Sequence, residues 1–334
     1  RLTVVTHPPP SRATRWLESG WLDVEFYAAL RGRGFRDAAE AARDFVDHGM
    51  QERLSPHPGL HFVDLPAHTR RAWRHGRVGQ VLADLRGSST QVGSPTSTDP
   101  SARGDLLALA RRLAREGAGE ALSEPGVDAA TIDWATVAGR TRRPDLTSVV
   151  VVAAEARPTA RTVQSVLDTA DGRALQVVVV DCGSPPHVAL GLHAALHGRP
   201  EVELLRLPSS VTPSAAAEVG VARAEGEVVL LLEPHVLLRR GALDSLLAVL
   251  DDPEVAGVQP VLLGPDDTIV CAGLVVPAMG EPPEPLLAGL PADDARRLEG
   301  RPLAAISGEA MALRVEDVAV LGGMDAGLPR PSAA

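Results

Sequence analysis

The chain of 334 residues contains no Lys and no Asn, so all 33 basic residues are Arg. Both missing residues use AT-rich codons, and the absence reads as the codon usage of a GC-rich genome rather than as chemistry. Aromatic residues make up only 3% of a chain that is 45% hydrophobic, so the expected core is aliphatic, built of Val, Leu and Ala. The two cysteines, Cys182 and Cys271, are too few for a disulfide framework or a cysteine-rich metal centre, and fit a reducing compartment. No apolar run reaches the roughly 18 residues of a membrane-spanning helix. A net charge of −10 excludes a nucleic-acid binder that relies on a global basic field. The chain begins at Arg1 without a signal peptide and reads as a piece of a longer protein.

What is present divides into two textures. Thr6-His7-Pro8-Pro9-Pro10 is an irregular start. Leu22, Phe26, Ala29 and Leu30 then recur at helical spacing. A second helix is expected over Asp37–His48, stopped by Gly49 as a C-cap. Residues 66–85 are Arg-rich and helical in pattern. Arg86–Gly104, R-G-S-S-T-Q-V-G-S-P-T-S-T-D-P-S-A-R-G, has the composition of a flexible linker. Asp105 is placed to cap a helix to Gly117, with Leu106, Leu109, Ala110 and Leu113 on one face and Arg111, Arg112 and Arg115 on another. The basic face is expected to be solvated, with anionic lipid as the alternative partner. Thr141–Asp145 reads as a short polar hinge. The expected organisation is a helical module over 1–85, a linker over 86–104, a helical connector over 105–146 and an α/β domain over 147–334.

From Thr147 the chain alternates strands and helices. Strands are expected at Val149–Ala153, Val177–Asp181, Val202–Leu207, Val228–Leu232 and Gly257–Leu262. Helices are expected at Thr159–Thr169, Pro186–Leu196, Pro213–Ala224 and Gly241–Leu250. This alternation gives βαβ units and an α/β, Rossmann-type, mostly parallel sheet with helices on both faces. Leu175–Ser184, L-Q-V-V-V-V-D-C-G-S, is the central stretch. Its valines read as a strand buried on both faces, and Asp181 stands at the carboxyl end, where open parallel sheets bind ligands. The first βα turn, Ala153–Pro158, has no glycine, so no G-x-G-x-x-G phosphate turn exists, and without Lys there is no P-loop. NAD enzymes and P-loop NTPases are disfavoured. His193 and His197 have the i, i+4 spacing of metal ligands, but no third ligand stands near them in sequence, so a solvated or packed face is expected. Cys271 is expected to be a buried small residue.

Six segments occur in an informative order: Val177–Ser184, Ser209–Gly226, Val228–Val236 (V-V-L-L-L-E-P-H-V), Gly257–Gly273 (G-V-Q-P-V-L-L-G-P-D-D-T-I-V-C-A-G), Ser307–Arg314 and Leu321–Asp325 (L-G-G-M-D). Together they resemble the inverting glycosyltransferases of family 2, rhamnosyltransferase-like enzymes with a GT-A fold, over Thr147 to Leu328. Upstream, Asp23, Phe26, Tyr27, Phe45, Gly49, Glu52, Arg53 and Pro56 partly match a short helical module found beside bacterial polysaccharide glycosyltransferases.

The resemblance implies a cytoplasmic enzyme that moves a sugar from a nucleotide-diphosphate donor to a glycan or lipid-linked glycan of the cell envelope. Peripheral contact with the inner face of the membrane belongs to the same reading, and nucleic acid does not. It places Glu155, Asp181, Cys182, Ser184 and Glu233 at the donor. It places a divalent metal, Mn2+ or Mg2+, at Glu233 and His235. Such an ion acts as a Lewis acid for the departing diphosphate, and an Asp or Glu base takes the acceptor proton. The sequence departs from the pattern at three points. His235 stands where the family's metal-binding Asp falls, Cys182 replaces an Asp or Asn beside the base, and Ala153–Glu155 replace a T-Y-N-like turn. Asp325 is a candidate on the acceptor side, with the general base expected beyond Ala334 and the piece in hand inactive by itself. The alternative is a degenerate, non-catalytic glycosyltransferase-like module that binds or scaffolds in polysaccharide assembly.

Overall fold

Side-chain caps set the first helices. Ser11, Asp23 and Asp37 each accept a backbone N–H in the first turn of α1 (Arg12–Ser19), α2 (Val24–Arg31) and α3 (Ala38–Asp44), the interaction that favours such residues at N-caps. The computed structural model describes residues 10–87, 100–120, 132–277, 282–298 and 301–324. The irregular start up to Pro9, the linker residues 88–99 and Asp325 lie outside the described residues. The chain forms two compact units, one from residues 1–122 with 184–198 and the other from 123–183 with 199–334.

In the first unit α3 runs on through a π-helical turn, Phe45–Gly49. Gly49 does not cap it in the left-handed conformation expected from the sequence, because the backbone stays right-handed at Met50 with φ −65°. Its smallness serves a close approach instead. A Cβ at Gly49 would lie 2.6 Å from Tyr27 Oη and 2.7 Å from Phe45 Cδ2. A 3-10 turn (Phe62–Asp64), α4 (Ala67–Arg74), α5 (Val78–Gly87) and α6 (Pro100–Gly117) follow. Because α6 starts at Pro100, Asp105 sits inside the helix and is not its N-cap.

The expectation of an aliphatic core fails for this unit. Every aromatic residue except Trp134 belongs to it. Trp16, Phe45 and Trp73 meet edge to face at 4.9, 5.6 and 5.7 Å, a geometry that adds stabilisation beyond area burial. Buried Tyr27 donates to Asp44 Oδ2 at 2.6 Å, Arg31 approaches the same oxygen at 3.0 Å, and Arg33 pairs with Oδ1. Burial and then the Asp44 hydrogen bond hold the Tyr27 hydroxyl far above its usual pKa. Burial opposes ionisation of Asp44, but the hydrogen bonds from Tyr27 and Arg33 and the charge of Arg31 outweigh it and lower its pKa. Arg31 also holds Glu52 at 2.6 Å, and Asp23 N–H donates to the Pro56 carbonyl at 2.9 Å. Asp23, Tyr27, Phe45, Gly49, Glu52 and Pro56, separate in sequence, therefore hold one another in place. The basic face of α6 stays solvated with its charges paired: Arg112 meets Glu116 at 3.0 Å, exposed Arg115 meets Glu120 at 2.6 Å and exposed Arg111 lies 3.8 Å from Glu25.

The second unit begins with α7 (Trp134–Ala138) and β1 (Arg143–Ala153). The polar hinge expected at Thr141–Asp145 is thus partly strand: Arg143 pairs with Gly226, and its N–H donates to the Glu225 carbonyl at 2.9 Å. Then come α8 (Ala156–Asp168), β2 (Ala174–Cys182) and α9 (Pro186–Leu196), the last of which belongs to the first unit. The chain continues with β3 (Val202–Leu207), α10 (Pro213–Arg223), β4 (Gly226–Leu232) and α11 (Ala242–Leu250). Short strands follow: β5 (Gly257–Val258), β6 (Leu262–Leu263), β7 (Ile269–Cys271), β8 (Leu274–Val275) and β9 (Glu284–Pro285). After a 3-10 segment, Ala292–Leu298, come β10 (Ala310–Arg314) and α12 (Val315–Val320).

The main sheet has the order β3-β2-β1-β4-β10-β5, with β1, β2, β3 and β4 parallel and β10 antiparallel to both neighbours. The expected mostly parallel α/β sheet flanked by helices is what forms. Val149–Val151 and Val177–Val180 are essentially inaccessible, as strands covered on both faces must be. α10 packs on β1 and β2. It approaches so closely at Gly220 that a Cβ would lie 2.3 Å from Val150 Cγ1. The P-D-D-T segment is the turn of the β6–β7 hairpin, where Asp266 Oδ1 accepts from Thr268 Oγ1 at 2.7 Å and Asp267 takes φ +59°. Among the described residues no helix is long and apolar enough to cross a membrane.

Candidate functional site

Strand register places the candidate residues along the carboxyl edge of the parallel strands. Ala153 on β1 is level with Asp181 on β2, and Asp181 is level with Arg206 on β3. Val151 is level with Leu232 on β4, so Glu233 stands one residue beyond that strand end. Glu155 follows β1 as the N-cap residue of α8; its carbonyl accepts from Thr159 Oγ1 at 2.6 Å while its side chain makes no cap bond and stays exposed. Glu155, Asp181, Cys182 and Glu233 thus share one edge of one sheet.

Asp181 is 2% exposed and forms an ion pair with Arg206, itself 8% exposed. Sequence reading gave Asp181 a ligand and gave Arg206 nothing. The signal that could have found Arg206 is a charged residue in the otherwise apolar end of a strand expected to pair with β2. Two charges taken out of water on adjacent strands must neutralise one another. Cys182 is half-buried and in no disulfide. Gly183 turns the chain at φ +61°, and a Cβ there would lie 2.4 Å from Ser209 N, so the β2 turn and the β3–α10 loop touch backbone to backbone. Ser184, half-buried, begins the segment that belongs to the first unit, and is not grouped with Asp181 and Cys182.

Glu233 is half-buried and anchored by its backbone N–H to the Glu309 carbonyl at 2.8 Å; this ties the end of β4 to the start of β10. Pro234 is buried and His235 exposed. Among the described residues no third His, Cys, Asp or Glu joins Glu233 and His235 in a set of protein ligands. A cation there would take its remaining ligands from a bound phosphate or water. A carboxylate oxygen suits Mn2+ or Mg2+, whereas an imidazole nitrogen suits a transition ion, so between those two this pair favours Mn2+.

Residues 148–270 match the family model described as Glycosyl transferase family 2. The chain is 35% identical over 184 residues to the pre-mycofactocin glycosyltransferases of Mycobacterium tuberculosis strains CDC 1551 / Oshkosh and ATCC 25618 / H37Rv, a match that covers 54% of this chain. It spans 37% of the length of those curated relatives. Among solved structures, the mannosyltransferase PcManGT from Pyrobaculum calidifontis, in complex with GDP-Man and Mn2+, is similar at TM-score 0.41 and 19% identity, over 57% of this chain and 50% of that one. TarS 1–349 from S. aureus is similar at TM-score 0.39 and 19% identity, over 55% and 52% of the two chains. The segment 148–270, which holds most of β1, all of β2 to β4 and the edge just described, is thus similar to family 2 glycosyl transferases and folds as a mostly parallel α/β sheet.

Proposed function

We propose that the second unit binds a nucleotide-diphosphate sugar at the carboxyl edge of β1, β2 and β4, and that the protein to which this chain belongs transfers the sugar to an acceptor hydroxyl. The observation that carries the reading is the family match over 148–270, the segment that brings Glu155, Asp181, Cys182 and Glu233 to one edge. In the reaction the acceptor oxygen attacks the anomeric carbon as the bond to the diphosphate breaks, with inversion. The acceptor proton passes to a carboxylate base. Asp181, held by Arg206, orients the nucleoside end. Glu233 and His235 would hold a divalent ion, Mn2+ or Mg2+, which supplies Lewis acidity to the leaving diphosphate. The matched relatives are named for pre-mycofactocin, so an acceptor of that kind ranks ahead of a cell-surface or lipid-linked glycan. Two cysteines in no disulfide suit a cytoplasmic setting, and contact with the inner membrane face goes with the lipid-linked acceptor only.

A second reading, a non-catalytic binding module, is favoured by one observation: Asp181 is already engaged by Arg206. Calorimetric titration of UDP-, GDP- and dTDP-sugars, with and without Mn2+, separates the two. Saturable binding of one donor, weakened by Glu233→Gln or His235→Ala, supports the enzyme. A folded sample that binds none of them overturns donor binding.

A further inference from the structure

The sequence set His193 and His197 aside for want of a third ligand. The fold supplies one. Within the first unit α6 packs against α9, and this brings Asp105 to the two histidines. Each of the three offers a ligand atom within 4.8 Å of the others, and His197 Nδ1 lies 3.6 Å from Asp105 Oδ2. We infer that Asp105, His193 and His197 form a site for a borderline divalent transition metal of the Zn2+ type, pinning α6 to α9. Glu233 and His235 have no part in it, so it stands independently of the proposed transfer reaction.

Two features support the assignment. His193 Nε2 is shielded from solvent and makes no hydrogen bond. A buried polar atom left in that state is costly, and coordination would satisfy it. The donor set is also apt: two imidazoles and one carboxylate suit a four-coordinate ion with one position left for water. With bonds of about 2.0–2.1 Å, tetrahedral ligand atoms stand about 3.3 Å apart, so small side-chain rotations close the present spacing. Asp105 is exposed enough to rotate, with 60% of its side chain accessible.

The test is titration of the full chain with CoCl2, read by the visible absorption of four-coordinate Co2+, followed by competition with ZnCl2. One Co2+ per chain, displaced by Zn2+ and weakened as pH falls through the imidazole range, is the expected result. His197→Gln should weaken binding by more than the about 10–100-fold that loss of an outer-shell partner costs. Asp105→Asn should weaken it, whereas Asp105→His, which restores a donor, should retain it. Both positions are accessible enough for the variants to fold, as circular dichroism would verify. No saturable binding by the folded chain, or binding unchanged in His197→Gln, overturns the site and leaves only a His197–Asp105 ion pair.

Discussion

Arg206→Met tests whether Asp181 is held or merely adjacent. The substitution keeps most of the stem volume and removes the guanidinium, leaving a carboxylate at 2% exposure beside an apolar group. Breaking a buried pair from one side costs about 3–5 kcal/mol. Both side chains hold further contacts, so the lower end, about 3 kcal/mol, is expected. At 1.36 kcal/mol per tenfold this is about a hundredfold faster native-state hydrogen exchange for the most protected amides of β2 and β3. Asp181→Leu combined with Arg206→Met removes both charges, and such replacements are neutral or better. The double variant should therefore recover protection. Nucleotide-sugar titration of the same variant then separates two roles. Recovered stability with lost donor binding means that Asp181 touches the donor; recovery of both means that the pair only shapes the strand ends. A change in exchange below threefold for Arg206→Met would refute the buried pair and the positioning argument built on it.

Acid should destabilise the first unit through His61. Burial pushes its pKa from 6.5 down to about 4, so the unfolded chain binds the proton more readily. Stability from this residue is complete above pH 6.5 and is lost as pH falls toward 4, by about 3 kcal/mol in all. Urea unfolding followed by tryptophan fluorescence should show a falling midpoint over that window, flattened in His61→Gln; equal midpoints at pH 7 and 5 would contradict it. Gly49→Ala should lower stability by about 1–3 kcal/mol through overpacking, since the new methyl meets Tyr27 Oη and Phe45. Thermal denaturation should show this loss partly restored by Tyr27→Phe. Gly220→Ala should cost a similar about 1–3 kcal/mol by forcing α10 off Val150, with Val150→Ala as the compensating change.

The strands and helices from Val149 to Leu250 were legible because each carried its own period and its own stop. Pro186–Leu196 and Val202–Leu207 form at the expected residues. Two kinds of information were not legible. One is contact across register: Arg206 in V-E-L-L-R-L looks like an exposed strand charge until β3 is set beside β2 and it falls level with Asp181. The other is the use of a scarce residue type. Aromatics at 3% predicted an aliphatic core, which holds for Val150, Val178, Leu205, Ala216 and their neighbours. Scarcity was concentration in disguise, because Trp16, Phe26, Phe45, Phe62 and Trp73 build one core together. Of the site residues, the edge position of Glu155, Asp181 and Glu233 followed from strand order alone. The Asp105 cluster did not, since it depends on α6 starting at Pro100 and facing a helix from the other half of the chain.

That helix bears on how the sequence should be divided. A crossover helix on a sheet needs one apolar stripe, yet α9 buries Val188, Ala189, Leu190, Gly191 and Leu192 in succession. A helix apolar all round is a buried one, so its sequence already asks for more cover than one face of a sheet can give. The grouping answers this: Ala189 and Leu190 belong to the aromatic core of the first unit, while β2 and β3, on either side of α9 in sequence, pair in parallel at Val177 and Val202. The β2–β3 connection is therefore grouped with the first unit. Closing β2 on β3 requires the loop between them to be ordered, and part of that ordering entropy is offset by burial of α9. His193 and His197 lie on this connection and Asp105 on α6, so a cation bound there would tie the connection to α6 within the first unit.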